Sequence, residues 1–145
     1  MKTFITSLML SVVAISGCKT ASSEATATTT SKEIASPPPS TAVMDRGREL
    51  TALFYKGETG QIWSRMTPEM QNMLGSEEKL AAFRQQVDGQ LGAETKVIDE
   101  KTTASAPYQI YLRTASFSKF GKPVAIQWTL DANGQVAGFF VKPAG

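Results

Sequence analysis

Histidine is absent from all 145 residues. That excludes a Ser-His-Asp triad and any zinc site built on imidazole. Cysteine occurs once, at Cys18, so no internal disulfide forms and a lone thiol is left to explain. No apolar run reaches the roughly 20 residues that a permanent membrane helix needs. Neither charge sign dominates, with 15 Lys+Arg against 13 Asp+Glu, and the aromatics are not interleaved with basic clusters. Such a balance gives no electrostatic footprint for nucleic acid, which is not an expected partner, or for an anionic membrane surface.

The N-terminus supplies an explanation for the thiol. Lys2 is followed by "TFITSLMLSVVAIS", short, apolar and uncharged, which ends in Ser16 and is followed by Gly17-Cys18. A basic start, a short apolar core and a small-residue end describe a secretory signal peptide. "ISGC" resembles the lipobox of bacterial lipoproteins, with Ile15 where leucine is commoner. The resemblance implies a signal over residues 1–17 and cleavage before Cys18. The thiol would carry a diacylglycerol and the new N-terminus an acyl group such as palmitate. Acyl chains worth about 0.8 kcal/mol per buried methylene would hold the protein at the membrane through Cys18. Lys19 stands where an Asp would resemble an inner-membrane retention signal, so the implied address is the outer membrane, facing the periplasm. The alternative is an ordinary secretory signal followed by a chance cysteine.

Residues 18–43 are rich in Ser, Thr and Ala and contain Pro37-Pro38-Pro39. They hold too little apolar area to offset ordering entropy and are expected to form a disordered tether. Its reach as a flexible coil is about 25–30 Å.

Residues 44–145 are expected to form one α+β domain. Its first half reads as helices. "MDRGRELTALFYKGET" puts Gly47, Leu50, Leu53 and Phe54 at helical spacing. "GQIWSRM" is a short helical piece with Ile62, Trp63 and Met66 inward. Thr67 and Ser76 are expected helix N-caps, with Pro68 at a first helical position and Gly75 and Gly92 as stops. Leu80, Phe83, Val87 and Leu91 make the stripe of the longest of these later helices. The second half switches to period two over "TKVIDEKTTAS", "PYQIYLRTASF", "VAIQWTL" and "VAGFFVKP", with "KFGKP" and "DANGQ" as turns. Helices followed by an antiparallel meander of about four strands predict helices covering one sheet face.

That order resembles the cone folds similar to nuclear transport factor 2 and the steroid isomerases, and the resemblance implies a curved, cone-like antiparallel sheet under N-terminal helices. "IQWTLDANGQVAGFFVKP" and "TPEMQNMLGSEEKLAAF" further resemble a small domain of unknown function found ahead of secreted serine hydrolase and β-lactamase-like domains. The matching positions are Trp128, Asp131, Gly134, Val136, Gly138, Phe139, Phe140, Lys142 and Pro143. They mark a fold and carry no catalysis.

The candidate chemistry is sparse. Ser76-Glu77-Glu78-Lys79 fits the Ser-x-x-Lys nucleophile pattern, but so does Ser116-Phe117-Ser118-Lys119, and neither has a Ser-Asp-Asn or Lys-Thr-Gly partner. Ser76 is better read as a cap. Asp99 or Glu100 could put one carboxylate inside the cone as a base, against the plainer reading of a solvated strand end. Tyr108 and Tyr111 alternate faces, so one of them points inward. Arg113, mid-strand, needs either a partner or a ligand.

Tyr108, Tyr111 and Arg113 are the expected binding contacts; no catalytic residue, metal ligand or cofactor is implied. The expected function is a lipid-anchored envelope lipoprotein with a non-catalytic binding domain, meeting an envelope protein or a small ligand. The alternatives are an accessory domain acting in trans with a serine hydrolase and a minimal cone-fold enzyme using a carboxylate base.

Overall fold

A computed structural model describes residues 40–145. The signal, Cys18 and the tether expected from sequence lie outside the described residues, apart from the tether's last four positions. Helix α1 (Ser40–Lys56) already buries Val43, so the folded part takes in residues ahead of Met44. Then come α2 (Thr59–Trp63), α3 (Pro68–Leu74) and α4 (Glu77–Leu91). Strands β1 (Glu94–Ser105), β2 (Tyr108–Phe117), β3 (Phe120–Leu130) and β4 (Val136–Pro143) form one antiparallel sheet in chain order. This is the expected α+β arrangement, helices on a curved open sheet of four strands.

Local chemistry sets the boundaries. The Thr67 hydroxyl accepts from the Met70 amide and the Ser76 hydroxyl from the Lys79 amide, each closing an orphan donor of a helix start. Gly75 and Gly92 end α3 and α4 at φ +88 and +70, a region that side chains avoid. In the β3–β4 hairpin the Asp131 carboxylate accepts from the Asn133 and Gln135 amides, and Gly134 takes φ +76. Ser76 is thus a helix cap and Lys79 a solvated residue beside it.

One expected turn is misplaced. "KFGKP" belongs largely to β3: Phe120 already pairs with Phe117, and the turn is the pair Ser118–Lys119. Phe120 packs against the core, which draws the strand back towards its start. Pro123 lacks an amide hydrogen, but its carbonyl still accepts from Ala144.

Helices cover one sheet face. Along β2 that face carries Tyr111, Arg113, Ala115 and Phe117, so the more apolar-looking set Tyr108, Ile110 and Leu112 points away from the helices. Trp128, fully buried, stacks on Phe139 at 3.9 Å between centroids, and Phe54 meets Phe139 edge-on at 4.9 Å. The indole Nε1 donates to Thr51 Oγ1 at 2.9 Å, and the Thr51 hydroxyl donates to the Gly47 carbonyl at 2.8 Å. Thr51→Val keeps the shape and orphans a buried donor, so urea unfolding should register a loss of about 1–3 kcal/mol. A loss near zero would mean that the indole finds another acceptor.

Candidate functional site

Three elements converge at one end of the covered face. On α1, Arg48, Thr51, Ala52 and Tyr55 follow helical spacing and share one side. On β1, Glu100 lies directly opposite Arg113 of β2, and Thr102 opposite Tyr111. Register shifts between Glu94 and Lys96, and again between Val97 and Asp99, bend β1 along the way. Both glutamates still reach Arg113.

The result is a cluster of interlocked charges. Arg113 holds Glu94 through two bonds, Nη2 to Oε1 at 2.5 Å and Nε to Oε2 at 3.0 Å, and reaches Glu100 Oε1 with Nη1 at 2.7 Å. The Tyr55 hydroxyl donates to Glu94 Oε2 at 2.7 Å, and the Tyr111 hydroxyl donates to Glu100 Oε1. Arg48 closes the outer side, with Nη2 to Glu100 Oε2 at 2.8 Å. The side chains of Glu94, Glu100 and Arg113 are only 14–16% exposed. From α4, Arg84 donates to the Phe54 and Tyr55 carbonyls at 3.2 and 2.7 Å, where a cation suits the negative end of α1.

These bonds set the protonation states. Hydrogen bonding from Arg48 leads in holding the Glu100 carboxyl down to about 2, against burial and with help from Tyr111 and Arg113. Burial alone would raise Glu94, but the bonds from Arg113 and Tyr55 outweigh it and keep it below the usual value. Burial, reinforced by the bond to Glu100, pushes Tyr111 up to about 12, and burial with the bond to Glu94 pushes Tyr55 up as well. Arg113, gripped first by Glu94, stays charged.

A carboxyl whose folded pKa is depressed contributes stability above its unfolded value and loses it as pH falls towards the folded one. Glu100 should therefore contribute about 2–3 kcal/mol at neutral pH, discounted for its exposed Arg48 partner. That contribution is lost between pH 4.5 and about 2. The thermal midpoint should fall across that window in the parent chain and less steeply in Glu100→Gln. Parallel acid limbs would contradict the assignment.

Beside the cluster a cleft of about 440 Å³ opens between α1, α4 and the β1–β2 pair. Ala52, Phe54, Val87 and Phe117 give it apolar walls; Arg48, Arg84, Asp88, Glu94 and Arg113 give it polar ones. The structure brings two of the three expected contacts together, and Arg113 alone of them lines the cleft. Tyr111 is fully buried, with its hydroxyl in the cluster. Tyr108 lies on the opposite sheet face, 42% exposed. Of the two carboxylates weighed as an internal base, Glu100 points into the cluster and Asp99 is exposed. Sequence reasoning does not single out Arg48, Tyr55, Arg84 or Glu94. The spacing of Arg48 and Tyr55, seven residues apart on one helix side, is the available signal.

Compared with family models, curated proteins and solved structures, the chain matches none.

Proposed function

We propose that this chain is a lipid-anchored lipoprotein of the bacterial envelope, held at Cys18 and facing the periplasm from the outer membrane, whose folded domain binds and does not catalyse. The address rests on the signal and lipobox pattern of residues 1–18. The binding reading rests on one observation above the others: every ionisable group of the cluster beside the cleft is already committed. Arg113 is satisfied by two carboxylates, both carboxylates are held ionised, and both phenols are held neutral. A general base works best with its pKa near the operating pH. Here the carboxyls are driven below that range and the phenols above it. What remains suits recognition: apolar walls, a few fixed polar groups and space for a small molecule or a projecting side chain.

The test places a photoreactive side chain at Ala52, which lines the cleft, in the full chain within intact envelopes. A second is placed at Asn72, exposed on α3, as a control. Irradiation should give a discrete adduct from position 52 and none from 72. Equal labelling from both, or turnover of a substrate abolished by Glu100→Gln, would overturn the reading.

A further inference from the structure

The sheet face away from the helices carries a second chemistry. Residues directly opposite in an antiparallel sheet project to the same side, so its rows can be read across the strands. One row runs Lys101, Leu112, Gln127, Phe140; the next runs Asp99, Thr114, Ala125, Lys142; Ile110 and Tyr108 continue it along β2. Phe140 is 57% exposed although it sits within a strand, and Tyr108 is 42% exposed. Lys96, Lys101 and Lys142 share this face: Lys142 stands two residues from Phe140 on β4, Lys101 begins the row that ends at Phe140, and Lys96 lies further along β1 opposite Ser116, with Asp99 as the acidic residue among them. No ion pair among the described residues uses a lysine. The arginines are committed to partners in the cluster or the helical layer, while the lysines of this face are free.

From this placement we propose that the open sheet face rests on an anionic bilayer surface, with Phe140 and Tyr108 at the headgroup level and the three lysines against lipid phosphates. Exposed rings set among free lysines are the composition of an interfacial membrane contact. Each lysine near an anionic surface favours contact about fivefold, and the excess over Asp99 is two. The proposal rests on the lipid-anchor reading for its biological setting, since a tether at Cys18 would keep the surface within reach. The helical layer and the cleft then face away from the lipid.

The test separates the two ideas. The chain from Cys18 to Gly145 keeps the whole core, from Val43 to Val141. It is coupled through its single thiol to maleimide lipid in vesicles, so the outcome does not depend on whether the cell acylates Cys18. Hydroxyl-radical labelling is then compared on phosphatidylglycerol and phosphatidylcholine vesicles. Met73, 77% exposed in the helical layer, is the internal control. On the anionic vesicles Phe140 and Tyr108 should lose about half or more of their labelling, since interfacial rings leave water. Met73 should be unchanged, and Lys101→Glu with Lys142→Glu should restore the rings' labelling. Equal labelling of the rings on both lipids would overturn the proposal. So would protection on phosphatidylcholine that grows with protein density, which would assign the face to a second copy of the chain.

Discussion

Replacing Gly47 with alanine should destabilise the domain by about 3 kcal/mol or more, the top of the usual range for overpacking. On an exposed helix the change would gain up to about 1 kcal/mol of propensity. Here an added Cβ would lie 2.1 Å from Cγ and 2.3 Å from Cδ1 of the Tyr111 ring. The ring has no room to yield, because Tyr111 is fully buried and its hydroxyl is tied to Glu100. Gly47 is therefore the point where the backbone of α1 meets β2 across an aromatic ring. Urea unfolding provides the measurement. The double variant Gly47→Ala, Tyr111→Leu should recover part of the loss, since a smaller side chain relieves the clash. A cost below about 1 kcal/mol for Gly47→Ala alone would mean that α1 does not lie on Tyr111 in this way.

Arg113→Ala should cost about 3 kcal/mol, the lower end of the usual range for breaking a buried pair, because the carboxylates keep some contact with water. Glu94 would lose its bidentate partner, and Glu100 would be left with Arg48 and Tyr111. From sequence, an arginine free to meet a ligand could be removed with little change in thermal midpoint. The geometry predicts the reverse. A further signature separates charge from packing: the cost should shrink below pH 4.5, where protonation removes the unpaired charge. Arg113→Lys should be intermediate, since an ammonium cannot reproduce the two-pronged grip on Glu94. A pH-independent loss would assign the effect to the side chain's bulk.

The elements were legible where local chemistry is strong. Ser76, Thr67 and Pro68 announce helix starts through groups that act within one turn, and Asn133-Gly134 announces a hairpin in the same way. The hidden features depend on partners distant in sequence. The faces of β2 could not be assigned, because Gln109, Tyr111 and Arg113 look more polar than Tyr108, Ile110 and Leu112. Tyr111 faces inward only because Gly47, far earlier in the chain, leaves room for its ring. Arg113 faces inward because Glu94 and Glu100 meet it from a strand bent by two register shifts. A mid-strand arginine did signal that a partner must exist. It did not say which carboxylates, and the run "DEK" read as a solvated strand end although Glu100 lies inside. The glycine within an apolar helical stripe was the clearest unused clue, since such a position often marks close approach of another element.

The most direct test is a titration of the side-chain carboxyls of Glu94 and Glu100 by carbon NMR in the full chain. A binding cleft flanked by committed charges predicts a Glu100 midpoint near 2 and a Glu94 midpoint below the ordinary value of 4.5. Neither should change protonation between about pH 5 and 8, the range that best suits a general base at neutral pH. A midpoint near 6 or 7 for either carboxyl would contradict the commitment of these charges and the purely binding role that rests on it.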